Sequence, residues 1–229
     1  MPTITERLDT VRQRLRDAER RWGREPDSVH LLAVSKTKPA QAVAEALAAG
    51  QTAFGENYWQ DAQAKLQALA DQPIEWHFIG PLQSNKTKSV ATHFDWVHSV
   101  DRLKIARRLN DQRPQDASPL NICLQVNVSG EDSKSGIAPE ALADLAHAVS
   151  ELPRLRLRGL MCLPAPADGL DAQRAPFRRL RELQETLQAD GLALDTLSMG
   201  MSGDLEAAVA EGATLVRIGT DIFGARDQV

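Results

Sequence analysis

Lys36 stands just past the apolar run LLAV, with Pro39 close behind it. A lysine at the end of a buried strand is partly desolvated, which lowers its pKa and frees the amine to attack carbonyls. The plain alternative is a solvated loop lysine; Lys38, two residues on, lies beyond the strand. A second pattern comes late in the chain. In LSMGMSGDLEAA, Gly200, Ser202 and Gly203 lead into a helix, and in VRIGTDIFG, Gly219 and Thr220 follow an apolar run. Small residues ahead of a helix aim backbone N–H groups and the helix dipole at one point, which suits an anion. Ordinary strand-to-helix turns would use the same residues. Arg217 sits inside the run TLVRI. A buried guanidinium needs an acceptor, which Asp221 or a ligand would supply.

Other strand ends carry weaker signals. Asn57, in FGENYWQ, can both donate and accept hydrogen bonds; Glu56 and Asn57 also read as a helix start. His77, inside WHFIG, reads as a satisfied core histidine or as a catalyst, and Gln83 could reach a ligand. Ser84, Asn85 and Lys86 read as a helix start. Lys134 lies in the Gly- and Ser-rich loop VSGEDSKSG, which reads as an anion-binding nest or a solvated loop.

These residues need a frame that gathers strand ends at one face. Strand patterns fall at 29–34, 52–55, 75–79, 94–98, 120–127, 155–161, 195–199 and 214–218, with β-branched and aromatic residues between turn signals. Helical periodicity fills 39–49, 56–70, 84–91, 101–111, 139–150, 172–189 and 203–211. Asp101 and Ser202 are placed as N-caps, and Gly50, Gly191 and Gly212 as left-handed helix ends. An opening helix over 1–22 shows Ile4, Leu8, Val11, Leu15 and Ala18 at steps of three and four, with Thr3 and Glu6 at capping-box spacing. Alternating β and α units imply a parallel sheet, and eight of them close a barrel. The expectation is a single (β/α)8 TIM barrel over 29–226 with an extra N-terminal helix, one domain over 1–229; an open doubly wound sheet is the competing topology. The opening helix covers the barrel bottom or completes its outer ring. In such barrels the sites lie at the C-terminal strand ends, and the loops after strands seven and eight commonly hold phosphate.

Composition narrows the class. The 229 residues are 42% hydrophobic and 25% charged, which excludes disordered and fibrous classes. A net charge of −4 gives no overall basic excess for nucleic acid. No apolar segment is long enough for a membrane span, and the N-terminus lacks the apolar stretch of a secretory signal. Cys123 and Cys162, far apart in apolar runs, read as buried free thiols in a cytoplasmic protein rather than a disulfide or zinc site.

A lysine nucleophile, a phosphate cradle and an arginine between them fit what pyridoxal 5′-phosphate (PLP) requires: an aldehyde partner, a phosphate anchor and a ring-nitrogen contact. The sequence resembles the pyridoxal phosphate homeostasis protein family (YggS/PROSC type). The matching stretches are LLAVSKTKP, FGENYWQDAQAK, WHFIGPLQSNK, QVNVSGEDSKSG, RGLM and LSMGMSGDLEAAVAEGATLVRIGTDIFGAR, in order over residues 31–226. The resemblance implies a barrel like the alanine racemase N-terminal domain and PLP held as an aldimine on Lys36. It also implies phosphate held by Ser202, Gly219 and Thr220, Arg217 facing the pyridine nitrogen, and Asn57 near the cofactor. Lys134 falls in a stretch linked in the family to cofactor handling at a second site. Cys162 stands where the family often has Ala, and Gly203 where another acid is common.

Arg217 can only donate. A ring nitrogen facing it must therefore accept and stay unprotonated, which weakens the ring as an electron sink. A racemase tolerates this but needs two opposed bases, of which Lys36 could be one. Tyr58 is the one tyrosine, and the length leaves no residues for the second, β-rich domain that supplies the other base in racemases. The expected function is a non-catalytic PLP-binding protein of vitamin B6 homeostasis. It would be a cytoplasmic monomer that buffers PLP or passes it to PLP-requiring apoenzymes. A racemase using Lys36 as base and a Schiff-base aldolase-type barrel without PLP are the alternatives.

Overall fold

In the computed structural model, which describes residues 2–130 and 135–224, eight parallel strands close into a barrel in sequence order, the last pairing with the first. They are β1 (His30–Val34), β2 (Ala53–Glu56), β3 (Glu75–Phe78), β4 (Trp96–Val100), β5 (Leu120–Gln125), β6 (Leu155–Met161), β7 (Thr196–Ser198) and β8 (Leu215–Ile218). The open-sheet alternative is thereby excluded. The register places Leu32 of β1 opposite Arg217 of β8, and Val34 opposite Gly55 of β2.

The opening helix α1 (Ile4–Arg21) begins with the expected capping box, in which the Glu6 N–H donates to Thr3 Oγ1 and the Thr3 N–H to the Glu6 carboxylate. Its buried stripe of Leu8, Val11, Leu15 and Ala18 packs against α2 (Ala40–Ala48), α8 (Leu205–Ala210) and α9 (Thr220–Phe223). Of the two expected positions, α1 takes the outer ring. The ring also holds α3 (Trp59–Ala68), α4 (Thr87–His93), α5 (Leu103–Gln112), α6 (Leu142–Ser150) and α7 (Leu170–Ala189). No helix among the described residues is long and apolar enough to cross a membrane.

The differences from the sequence expectation sit at element ends. The helix expected from residue 56 begins at Trp59, because Glu56 completes β2 and is buried there. The fourth strand runs two residues later, since Phe94 closes α4 and packs edge-on against Phe78. Arg102 and Asp204, not Asp101 and Ser202, are the N-caps of α5 and α8. Gly50, Gly191 and Gly212 do end helices with positive φ.

The main apolar core lies between sheet and helices. The barrel lumen differs from it. A small separate cluster of Trp96, Cys123 and Met161 fills part of the interior, and buried polar side chains, among them His77, His98, Ser198 and Arg217, fill much of the rest. Barrel interiors are more often layered with branched apolar residues.

Candidate functional site

At the C-terminal end of the barrel lies a cleft of about 390 Å³, within the range of about 300–1,000 Å³ common for small-molecule sites. Lys36 and Lys38 enter it from the loop after β1, Asn57 from β2, and Ser202 and Gly203 from the loop after β7. Arg217, Gly219 and Thr220 enter from β8 and the turn beyond it. Every candidate cofactor residue from the sequence thus meets in one cleft, save Lys134, which lies outside the described residues.

The β1 end presents its lysine through a tight turn. Lys36 and Thr37 are the central pair of a turn closed by the Lys38 N–H donating to Ser35 C=O at 3.1 Å. Thr37 takes φ +64° there, a conformation uncommon for a β-branched residue. Behind the turn, Lys65 Nζ donates to Ser35 C=O at 2.7 Å and to Glu56 Oε1 at 2.7 Å, and the Ser35 hydroxyl donates to the same carboxylate oxygen. This buried clamp joins the residue before Lys36 to the residue before Asn57. Burial holds the Glu56 carboxyl above its ordinary range, against the pull of Lys65 and Ser35.

Asn57 is fixed from the other side by Gly80. A Cβ on Gly80 would lie 2.0 Å from the Asn57 carbonyl oxygen, so the two backbones meet where only glycine fits. The Asn57 Oδ1 atom is buried with no hydrogen-bond partner among the described residues. Buried polar atoms are seldom left so, and a ligand donor in the cleft would satisfy this one.

The opposite wall is the cradle. Gly200 (φ +102°) lets the chain turn sharply after β7, where a Cβ would press within 2.6 Å of Ala208. Asp204 is the N-cap residue of α8, and its side chain braces the loop ahead of the helix by accepting the Met201 N–H at 2.6 Å. Capping therefore does not fall to Ser202, whose residue lines the cleft. Helix α8 has only six residues, so the cradle rests on loop amides and hydroxyls more than on a long helix dipole.

Arg217 is 4% exposed. Of the two acceptors expected for it, Asp221 or a ligand, the first is corrected: Asp221 pairs with Arg14 on α1 at 3.2 Å. Arg217 donates instead to Ser198 Oγ at 2.6 Å and to Cys162 C=O at 2.9 Å. Neither acceptor carries a charge, and desolvation pulls the guanidinium pKa down. The position of Cys162 therefore enters the site through its backbone carbonyl. Its thiol, like that of Cys123, is unpaired in a disulfide and pushed up to about 12 by burial, which makes both thiols inert.

His77 does not reach the cleft. It is buried at the far end of the barrel, hydrogen-bonded on both ring nitrogens, which supports the reading as a satisfied interior residue. Gln83 lines an adjoining hollow together with Asn57, Ile79 and Leu163. Sequence reasoning missed the apolar lining of Ile79, Leu163, Met201 and Phe223. A signal existed for Met201, a large apolar residue placed in a loop, where it is 42% exposed. Among the described residues no group of three or more His, Cys, Asp or Glu is placed to hold a metal ion.

Comparison with known proteins adds to this geometry. The family model of the alanine racemase N-terminal domain matches residues 7–227. The chain is 64% identical over 227 residues to the pyridoxal phosphate homeostasis protein of Pseudomonas aeruginosa, covering 99% of this chain and 97% of that one. It is 55% identical to the protein of the same name from Escherichia coli K12, covering 99% and 98%. Among solved structures, PipY of Synechococcus elongatus with PLP bound superposes with a TM-score of 0.86 at 40% identity, covering 97% of this chain and all of that one. Alanine racemase from Corynebacterium glutamicum matches with a TM-score of 0.69 at 18% identity, and this chain covers 62% of it. The last likeness is one of fold alone.

Proposed function

The chain belongs to the pyridoxal phosphate homeostasis protein family, with the fold of the alanine racemase N-terminal domain, and from that premise we propose that its cleft binds PLP on Lys36 to buffer or deliver the cofactor. The observation that carries the reading is the convergence of Lys36, Arg217 and the Ser202–Gly219–Thr220 cradle on one cleft of fitting size. The residues present fit the group, since the cradle suits a phosphate and the orphaned Asn57 Oδ1 awaits a donor.

When bound, PLP supplies an aldehyde that condenses reversibly with an amine. Lys36 is the amine, held at the cleft by the strained turn and the Lys65–Glu56 clamp. Ser202, Gly203, Gly219 and Thr220 orient the phosphate with hydroxyl and backbone donors. Arg217 faces the ring nitrogen as a donor that cannot give up its proton. That choice disfavours strong carbanion chemistry such as transamination, though a racemase tolerates it. The other amine of the lining among the described residues, Lys38, comes from the same loop as Lys36. Tyr58 is the N-cap residue of α3 and half exposed, outside the lining. We therefore read the protein as a carrier, a cytoplasmic monomer that meets PLP-requiring apoenzymes transiently.

The test starts from the purified full chain mixed with PLP. Borohydride should fix one adduct, on Lys36, and Lys36→Ala should abolish it. A chain that acquires no adduct overturns PLP binding. Sustained exchange of solvent deuterium into a single-enantiomer amino acid would overturn the carrier reading in favour of a racemase. Transfer to an apoenzyme faster than from free PLP supports delivery.

A further inference from the structure

The guanidinium of Arg217 is the upper end of a continuous line of buried hydrogen bonds through the barrel. Arg217 Nη1 donates to Ser198 Oγ at 2.6 Å. Ser198 Oγ lies 2.7 Å from His98 Nδ1, and His98 Nε2 lies 2.8 Å from His77 Nδ1. His77 Nε2 lies 2.7 Å from Glu75 Oε1. The line joins β8, β7, β4 and β3, and so crosses the lumen between non-adjacent strands. Glu75, its lower end, opens into a basin at the N-terminal face that also holds Arg158 and Asp195, and its side chain is 52% exposed.

The proton order along this line follows from its ends. Arginine has no acceptor, and an ionised carboxylate has no donor. The bond from His77 keeps the Glu75 carboxyl below its ordinary range, so it is ionised at neutral pH. Burial pushes both histidines toward the neutral form, His98 well down, with His77 and Arg217 adding to the effect there. A neutral imidazole has one donor and one acceptor. His77 must then give its Nε2 proton to Glu75 and accept from His98 Nε2 on its own Nδ1. His98 accepts the Ser198 hydroxyl proton on Nδ1, and Ser198 accepts from Arg217. Every bond points the same way, from cation to anion, an arrangement in which each bond polarises the next. His77 is held in plane by stacking on Trp96, 5.2 Å away with rings 9° from parallel, and the Arg158 guanidinium lies over the other part of that stack, 4.6 Å from the Trp96 ring.

We propose that Ser198, His98, His77 and Glu75 are positioning residues, a one-way relay that holds the Arg217 guanidinium in place toward the ring nitrogen of the bound cofactor and makes its hold answer to the charge of Glu75 at the opposite end of the barrel. The inference rests on the PLP reading above. Without the carboxylate the order is no longer enforced, and the Ser198 hydroxyl can turn its proton toward Arg217, where it repels the guanidinium. The cofactor site is thereby linked to a basin that no cofactor residue lines.

Two measurements on the full chain test it. Ring-nitrogen NMR of the PLP-free protein at neutral pH should show His77 and His98 both neutral with the proton on Nε2; a charged ring, or a proton on Nδ1, overturns the relay. On the PLP-loaded protein, Ser198→Ala should shift the visible band of the cofactor and speed its release about tenfold, the weight of one charge-assisted hydrogen bond. Glu75→Gln, a change at a half-exposed site, should act in the same direction by roughly threefold through the weakened chain, and Ser198→Thr should restore the wild-type band. A purely structural role would lower thermal stability without moving the band. If the wild type loads PLP and both variants keep its band and release rate, this inference falls while the PLP reading stands. If the wild type loads no PLP, the PLP reading falls and the relay's role at the cofactor goes with it.

Discussion

Lys65 on α3 and Arg217 on β8 are both nearly inaccessible to solvent, and they are satisfied in opposite ways. Lys65 meets a buried carboxylate directly, Glu56 at 2.7 Å, and ties two strand ends together. Arg217 meets only a hydroxyl and a carbonyl, and its nearest carboxylate along the hydrogen-bond line, Glu75, is reached through three intervening side chains. A buried cation with its counter-charge in contact is a closed structural unit. One that no carboxylate contacts keeps donor capacity for something else, and on the reading proposed above that is the ligand. On that reading the same residue class, buried twice in one barrel, serves architecture in one place and binding in the other.

The comparison breaks most visibly on charge removal. Lys65→Met should destabilise the fold by about 3–5 kcal/mol in urea unfolding, because Glu56 is left buried and unpaired. Adding Glu56→Gln should recover much of the loss, as contacting residues couple. Arg217→Met should stay within about 1.5 kcal/mol of wild type, since two orphaned acceptors are offset by relief of a buried charge that no carboxylate contacts. Equal losses from both single variants would remove the distinction between clamp and relay.

The next effect is one of sign with pH. His77 and His98 have folded pKa values below the unfolded value near 6.5, because burial disfavours their charged forms. The unfolded chain therefore binds more protons below pH 6.5, and the stability these rings contribute above that pH is lost as pH falls. Glu56 runs the other way: with its pKa raised by burial, its contribution is present at low pH and lost as pH rises through the folded value. His98→Gln should flatten the acid-side fall in stability by up to about 1.4 kcal/mol per pH unit, the slope of one proton. Urea midpoints between pH 5.5 and 7.5 would read it. An unchanged slope would mean His98 is charged in the folded state.

The two regions were not equally legible in the sequence. The barrel itself could be read because eight apolar runs alternate with periodic helices, and alternation is a local pattern. The cleft was also legible, since Lys36, Asn57, Ser202, Gly219 and Thr220 each stand at a strand end, where topology gathers side chains whatever their partners. The clamp was hidden, because Lys65 looks like one more exposed cation on a polar helix until the tertiary fold brings it to Ser35 and Glu56. The relay was hidden for the same reason. His77 and His98 are 21 residues apart and His98 and Ser198 are 100 apart, and only barrel closure joins them. Asp221, one of the two acceptors the sequence offers Arg217, is near it in the chain, but it pairs with Arg14 instead.

Thr37 sets the smallest effect and sharpens the lysine side of the comparison. Its φ of +64° is a conformation that holds roughly 1–3 kcal/mol of strain in a residue bearing a branched Cβ. Glycine would remove that strain but would add about 0.5–1 kcal/mol of chain entropy to be lost on folding. Thr37→Gly should therefore leave stability unchanged or raise it, by no more than about 2.5 kcal/mol. Its consequence should be kinetic. The turn from Ser35 to Lys38 is what aims Lys36, and a glycine at its third position lets the turn sample other shapes. Adduct formation with PLP, followed by borohydride trapping over time, should slow by roughly threefold, the cost of a partly lost preorganisation. A rate equal to that of wild type would show that the clamp alone, through Lys65 and the Ser35 carbonyl, positions Lys36, and that the strained turn contributes nothing to the chemistry it carries.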